Sequence, residues 1–238
     1  MNHGPTAARA FIAAFTARWT PRNDRTVIFF PPAISLTTVV HALGGRTDVG
    51  VGVQNIWMED KGAFTGESSA PIAKDGGARY VLVGHSERRH VFGETSEQAG
   101  KKCAAAARNG LTPILCVGEL LAEREVGTTN EVVLRQLAAG LAELSSDVIA
   151  SMAIAYEPVW AIGTGKTATP ADASAVHREI RLALEKKLGD QAVGVPILYG
   201  GSVNAANAKS LLQADGVDGL LVGGASLEVD AWATICDT

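Results

Sequence analysis

The chain has little cysteine and contains no long apolar segment. Its three cysteines, Cys103, Cys116 and Cys236, are widely spaced and form no CxxC pattern. An odd number without such a pattern argues against a disulfide framework or a zinc site and is typical of proteins of the reducing cytosol. No apolar run approaches the roughly 20 residues of a membrane span. The segment Ala10–Phe15 also lacks the basic flank and cleavage site of a secretory signal. We therefore expect a cytoplasmic protein that does not bind membranes.

The chain also has no excess of positive charge. Lys and Arg number 21 against 25 Asp and Glu, which gives a net charge of −4. This balance argues against nucleic acid or an anionic membrane as a partner, but it leaves room for a local anion site. The 238 residues are enough for one large core. Because α/β barrels of about this length commonly form one unit, residues 1–238 are predicted to be a single domain.

Short apolar segments alternate with helical patterns along the whole sequence. Seven of them read as buried strands: Thr26–Phe30, Val49–Gln54, Tyr80–Gly84, Thr112–Val117, Met152–Tyr156, Pro196–Tyr199 and Gly219–Val222. Each is followed by a helical pattern, including Thr95–Asn109 with a capping box of Thr95 and Gln98, Pro170–Leu188 and Ala205–Ala214. A further helix, Pro5–Trp19, precedes them all. Such alternation predicts a parallel sheet covered by helices. A barrel is favoured over an open sheet because no glycine-rich first turn marks a nucleotide site. An eight-stranded barrel would have one more strand, before the first helix.

Functional groups of such a barrel belong at the carboxyl ends of its strands. The polar and glycine-rich segments there are Gln54-Asn55, His85-Ser86-Glu87, Cys116–Glu119, Glu157, Gly200-Gly201-Ser202 and Gly223-Gly224. His85 and Glu157 are candidates for acid-base chemistry, and the glycine turns can receive a phosphate on backbone N–H groups. Simpler readings remain open. They treat His85 as an ordinary strand-end histidine, Glu157 as a helix-capping carboxylate and the glycine pairs as tight turns.

Three familiar motifs are excluded. Gly165-Lys166-Thr167 resembles the end of a phosphate-binding loop, but Trp160 stands where that loop needs glycine. A dinucleotide fingerprint starting at Gly163 lacks the strand that should end just before it. Gly84-His85-Ser86 resembles a nucleophile elbow, but Arg88 replaces its second glycine.

The sequence resembles the triosephosphate isomerase family in five motifs that occur in the family's order. They are Gly62–Glu67, Gly84–Arg89, Ala155–Lys166, Tyr199–Val203 and Leu221–Ala225. The similarity covers essentially the whole chain. It implies a TIM (β/α)8-type barrel, here with seven recognisable strands. It also implies interconversion of dihydroxyacetone phosphate and glyceraldehyde 3-phosphate through an enediolate, with no metal or cofactor.

The resemblance assigns roles to the acid-base residues and to the segment that follows Glu157. Glu157 would move the proton between carbons, and His85 would polarise the carbonyl oxygens as a neutral electrophile. Glu87 would be a supporting acidic residue. Pro158–Lys166 would be a lid that closes over the substrate and excludes water.

The remaining assignments concern the phosphate and a second subunit. Gly163, Ser202, Gly223 and Gly224 would hold the phosphate through backbone N–H groups. The segment Gly62–Glu67, with Thr65 near its tip, would insert into a partner subunit. The family therefore implies a homodimer with a small phosphorylated triose as substrate.

The sequence departs from the family before its first helix. Family members begin with a strand that ends in Asn-x-Lys, followed by a Met-Asn pair that Met1-Asn2 resembles. Loss of a positioned electrostatic group such as that lysine typically costs about 2.7–4 kcal/mol of transition-state stabilisation. We therefore expect this chain to be severely impaired as an isomerase. We also expect two unpaired strand edges in the barrel wall, with the gap filled by a rearranged segment or a partner chain.

Two other functions stay open at this point. A non-catalytic barrel that binds phosphate or acts as a scaffold would need the glycine turns but not the acid-base pair. Another phosphate-binding barrel enzyme would need acid-base groups on other strands, for which Glu119 is a candidate.

Overall fold

A computed structural model describes residues 1–162 and 168–238 of the chain. The described residues contain seven strands: β1 Val27–Phe29, β2 Val49–Val53, β3 Tyr80–Val83, β4 Thr112–Val117, β5 Ala153–Tyr156, β6 Ile197–Tyr199 and β7 Gly219–Leu220. They form one parallel sheet in chain order, each strand paired with the next. The strands curl with helices on the outside, which confirms the predicted TIM-barrel type of α/β fold with seven strands.

Eleven α-helices surround the sheet in the described residues. They are α1 Pro5–Arg18, α2 Leu36–Ala42, α3 Ala70–Asp75, α4 Ser86–His90, α5 Ser96–Arg108, α6 Leu121–Glu125, α7 Thr129–Gly140, α8 Ser146–Ser151, α9 Pro170–Leu188, α10 Ala208–Leu212 and α11 Val229–Asp237. The helix predicted over Pro170–Leu188 has the same bounds as α9. The predicted capping box of Thr95 and Gln98 is present at the start of α5. The short helices α4, α6 and α8 were not predicted.

Helix α10 begins later than the sequence pattern suggested. A helix was expected from Ala205, but α10 begins at Ala208. The Asn204 side chain accepts hydrogen bonds from the backbone N–H groups of Ala206 and Asn207. These are the bonds of an N-cap, so residues 205–207 form a capped turn that leads into α10.

Alternate residues of the central strands point to opposite sides of the sheet. Leu82, Ile114, Cys116 and Ala155 form a small apolar cluster inside the barrel. Their strand neighbours, such as Leu115, belong instead to the large core between sheet and helices. The two-residue period of a strand produces this division, because the sheet is covered on both faces. The predicted apolar strands are thus buried on both faces of the sheet.

The sheet is open between β1 and β7 within the described residues, but the helical layer continues across this place. Helices α1 and α11 pack against each other. Below them, Phe29 of β1 contacts Trp232 of α11 edge-on, with ring centroids 6.0 Å apart. The Arg25 guanidinium donates to the carbonyl of Cys236 at 2.6 Å. The side chains that line the barrel next to the opening, Ile28 and Leu221, are only partly buried. Within the described residues, helix packing rather than strand pairing therefore spans the opening between β1 and β7.

No helix among the described residues has the length and apolarity needed to cross a bilayer.

His177 is a fully buried ionisable side chain on α9, packed against strand β5. Its ring meets that of Tyr156 edge-on at 5.8 Å, and its Nδ1 lies 2.8 Å from the carbonyl oxygen of Gly216. Because a carbonyl only accepts hydrogen bonds, Nδ1 carries the proton of a neutral ring. Burial lowers the pKa of His177 below its usual 6.5.

This lowered pKa predicts that acid destabilises the fold through His177. The unfolded chain binds a proton at about pH 6.5, where the folded chain does not, so stability is lost as pH falls through this region. Between about pH 7.5 and 5.5, the free energy of unfolding in urea should fall more for the native chain than for His177→Gln. His41→Gln, at an exposed histidine, should behave like the native chain. Equal pH dependence of the native chain and His177→Gln would contradict the prediction.

Candidate active site

Glu157 lies directly after β5, and its side chain is buried at the carboxyl end of the sheet. The residue is 2% exposed. Its backbone N–H extends the sheet ladder by donating to the carbonyl of Val117 at 2.8 Å. One carboxylate oxygen, Oε2, accepts from the N–H of Ser86 at 2.9 Å. The other, Oε1, lies 3.3 Å from the Ser86 hydroxyl and 3.0 Å from Nε2 of His85. The structure therefore brings the predicted pair His85 and Glu157 into direct contact.

The hydrogen bonds of His85 define which ring nitrogen carries the proton. His85 caps the start of α4, where its Nδ1 accepts from the backbone N–H of Glu87 at 3.3 Å. A nitrogen that accepts is unprotonated, so in a neutral ring the proton is on Nε2, which donates to Glu157. The helix start thus favours the neutral imidazole with an Nε2–H group directed into the site.

The charges around His85 act in the opposite direction. Burial on its own lowers the pKa of His85. The hydrogen bond to Glu157 and its charge outweigh burial, so that the pKa is raised. The nearby carboxylates of Glu87 and Glu94 add to this effect. The protonated ring is therefore a weaker acid while Glu157 lies beside it. The pKa of His85 falls if the carboxylate moves away.

The turn that carries His85 is fixed from below by a buried ion pair. Gly84, which has a left-handed φ of +70°, donates its N–H to Oε1 of Glu94 at 3.0 Å. The other oxygen of Glu94 is 2.5 Å from Nζ of Lys102, which also donates to Asn55 at 2.7 Å. Both charged groups are almost fully buried, so each depends on the other to offset its lost hydration. This pair ties α5 to the His85 turn.

Two glycines allow the backbone of neighbouring strands to approach Glu157. A Cβ atom on Gly118 would overlap the carbonyl oxygen of Glu157, and one on Gly200 would lie 2.9 Å from its Cγ. The carbonyl and N–H of Gly118 are both paired with the amide of Gln136. The strand ends of β4 and β6 therefore leave space for Glu157 only because both positions lack a side chain.

Glu119 is a second buried carboxylate, one strand away from Glu157. Its Oε1 accepts from the Tyr156 hydroxyl at 3.1 Å and from the Trp160 indole at 2.8 Å. Arg124 lies 3.4 Å from the same oxygen. Burial raises the pKa of Glu119, against these hydrogen bonds. Because its partners flank Glu157 in sequence, Glu119 belongs to the support of the same site.

The residues predicted to bind phosphate lie at the same end of the sheet. Ser202 is partly buried, and its carbonyl accepts from the side chain of Asn207 at 3.0 Å. Gly223 and Gly224 are exposed at the start of a short 3-10 turn after β7. Gly163 lies outside the described residues, as do residues 163–166 of the predicted lid. The carboxylate of Glu87 is exposed, and its backbone rather than its side chain hydrogen-bonds His85.

Comparison with known proteins identifies the family. A sequence profile described as triosephosphate isomerase matches residues 1–238. The chain belongs to the triosephosphate isomerase family.

Curated relatives of this family are similar over most of their length. A triosephosphate isomerase of Moorella thermoacetica is 50% identical over 209 residues, which are 88% of this chain and 84% of the relative. That of Nitratidesulfovibrio vulgaris is 47% identical over 227 residues, or 95% and 90% of the two chains. That of Symbiobacterium thermophilum is 45% identical over 237 residues, or 99% and 92%.

Within this family member, several supporting residues escaped the sequence reasoning. The sequence did place Ser86 at a strand end, but its double contact with Glu157 needs three-dimensional geometry. Lys102 gave a usable signal, since it is a lysine in an otherwise alanine-rich helix face. Among the described residues, no group of three or more His, Cys, Asp or Glu is placed to hold a metal ion.

The close approach at Gly118 predicts a severe effect of one added methyl group. Gly118→Ala should lower the free energy of unfolding by about 1–3 kcal/mol, because the backbone of Glu157 must shift. Gly194→Ala is the matched control, since nothing lies within 4 Å of its added Cβ. Urea denaturation of both variants tests this. Equal stability of the two would show that the strands relax freely around Glu157.

Proposed function

We propose that the chain interconverts dihydroxyacetone phosphate and glyceraldehyde 3-phosphate, with Glu157 as the base and His85 as the electrophile. This is the reaction of its family in glycolysis and gluconeogenesis, which we place in the cytoplasm. The observation that carries the residue assignment is the 3.0 Å contact between Nε2 of His85 and Oε1 of Glu157. Two complementary groups at the carboxyl end of a barrel are what proton transfer beside a carbonyl requires.

In the proposed reaction Glu157 takes a proton from the carbon next to the substrate carbonyl and returns it to the neighbouring carbon. Its position supports this role, because the carboxylate is buried at the carboxyl end of the sheet, directly beside His85. The hydrogen bonds from Ser86 orient the carboxylate before substrate arrives. To reach the substrate, the carboxylate must exchange these bonds for the proton it removes.

His85 donates its Nε2 proton toward the carbonyl oxygen as negative charge develops there. The N–H of Glu87 on the opposite ring nitrogen supports this tautomer. A carboxylate base with a neutral imidazole electrophile is the arrangement already known for triosephosphate isomerases. Glu87 contributes its backbone to the ring orientation and its charge to the surroundings of His85.

The phosphate is proposed to bind at the backbone N–H groups of Ser202, Gly223 and Gly224, together with Gly163. Ser202 follows β6 and the two glycines follow β7, the last strands of the sheet. TIM barrels commonly bind phosphate at this place. Gly200 supports the proximity, since it lies against both Glu157 and Leu221. No metal or cofactor takes part in the proposed reaction.

We further propose that the 238 residues alone are a poor catalyst, because they do not supply the family's Asn-x-Lys lysine. A form extended at the N-terminus by a family-type first strand should turn over at least about 10²-fold faster, as expected for a restored electrostatic group. A coupled assay of isomerisation compares the two forms. Turnover of the unextended chain within about tenfold of the extended form would contradict the proposal.

The extended form also tests the proposed base. Glu157→Gln in that form should lower kcat by about 10²–10⁴, the usual contribution of a positioned acid-base group. Glu59→Gln removes an exposed carboxylate and should leave kcat unchanged. If neither the native nor the extended chain turns over while both bind a phosphate analogue, a non-catalytic phosphate-binding barrel is the better reading.

We also propose a homodimer formed through the segment Gly62–Glu67. Phe64 in this segment is 41% exposed although it packs on Trp57, with ring centroids 5.3 Å apart. A partly exposed aromatic pair on a protruding segment fits a contact with a second subunit.

The dimer proposal predicts that a charge at Thr65 separates the subunits. Thr65→Glu should sediment as a monomer at protein concentrations where the native chain is a dimer, because burial of an unpaired carboxylate is costly. Thr20→Glu, at an exposed threonine elsewhere, should remain dimeric. A native chain that is itself monomeric would contradict the proposal.

A further inference from the structure

Arg124 on α6 contacts three segments around strand β5, and none of these contacts was expected from the sequence. Its guanidinium lies over the ring of Trp160, 4.5 Å from the ring centroid. One nitrogen, Nη1, is 3.4 Å from Oε1 of Glu119. The other, Nη2, forms an ion pair with Asp172 in the first turn of α9. The planar guanidinium serves all three contacts at once, which lysine does not reproduce.

Glu119 forms hydrogen bonds with residues on both sides of Glu157 in the sequence. Its side chain binds the hydroxyl of Tyr156 and the indole of Trp160. Its backbone carbonyl accepts from the N–H of Val159 at 3.2 Å. These partners lie immediately before and shortly after Glu157, so this one residue fixes both sides of it.

We propose that Arg124 is a positioning residue that keeps the buried Glu119 ionised for the isomerisation proposed above, on which this inference rests. As an anion, Glu119 accepts hydrogen bonds from Tyr156 and Trp160 at the same time. Once protonated, it holds them less firmly, because charge-assisted hydrogen bonds are the stronger ones. The orientation of Glu157 then loses its support.

Arg124 is the cation that lies beside the buried carboxylate of Glu119. Glu119 is fully buried, and its Oε2 has no hydrogen-bond partner among the described residues. The groups that face it are Tyr156 of β5, Trp160 of the 3-10 turn after β5, and Arg124 of α6.

The directions of the pKa shifts agree with this geometry. Burial raises the pKa of Glu119, while the hydrogen bonds from Trp160, from its own backbone and from Tyr156 lower it. The positive charge of Arg124 acts in the same direction as these bonds. Burial likewise raises the pKa of Asp172, but the hydrogen bonds from Thr169 and the charge of Arg124 outweigh this, so the pKa is lowered. Arg124 is thus shared by two carboxylates.

A purely structural role for Arg124 is the competing explanation. In that case, Arg124 would only connect α6 with α9 through Asp172, and its loss would lower stability without moving the titration of Glu119. The titration of Glu119 therefore separates the two explanations.

The test follows the indole N–H resonance of Trp160 by NMR as a function of pH. The resonance is assigned as the one that disappears in Trp160→Phe. In Arg124→Met its pH midpoint should lie at least about one unit above that of the native chain, since an opposite charge at this range shifts a carboxyl pKa by about 1–3 units. Glu119→Gln should abolish the titration. Arg108→Met, which removes a surface ion pair with Asp60, should leave the midpoint unchanged.

This measurement does not require turnover, so it stands or fails independently of the proposed reaction. An unchanged midpoint in Arg124→Met, or a titration that persists in Glu119→Gln, overturns the proposal. If Arg124→Met does not fold, Arg124→Gln replaces it, because its amide retains a polar contact for Asp172. The expected shift of the midpoint is the same, since Gln is also uncharged. In the extended form, the acid limb of the kcat profile should move to higher pH with the NMR midpoint.

Discussion

The buried negative charge of Glu157 is the constraint on which the rest of the active site depends. An ionised carboxylate removed from water is costly unless hydrogen bonds replace its hydration. Ser86 and His85 supply those bonds from the turn after β3, two strands away. The site therefore exists only if the parallel order of β3, β4 and β5 is correct and the turn after β3 is rigid.

Rigidity comes from further buried charged groups around the site. Glu94 and Lys102 lie beneath the His85 turn, and Glu119 lies beside the residues that flank Glu157. Each is a buried ionisable group whose partner is a further residue in the same network. Removing one partner would leave an uncompensated charge, which is why such networks hold one geometry in preference to others.

The sequence predicted what depends on local pattern and chain order. Seven strands, the bounds of α9 and the pairing of His85 with Glu157 followed from apolar runs, caps and strand ends. The helix predicted from Ala205 begins only at Ala208, after a turn that the Asn204 side chain caps. The contacts of Arg124 and Gly118 were beyond reach, since each joins segments separated by tens of residues and has no local pattern. The single-domain organisation and the phosphate-binding residues remain predictions.

The open edge of the sheet has a consequence for how stability is distributed. Strand β4 is bonded on both sides, whereas β1 and β7 each have one neighbouring strand among the described residues. Helix α1 packs on α11, but the described residues contain no strand pairing between β1 and β7. Local opening therefore costs least at the two edges and most in the middle of the sheet. The amides of Ile28 and Leu220 mark the labile margins of a fold whose most persistent part lies beneath Glu157.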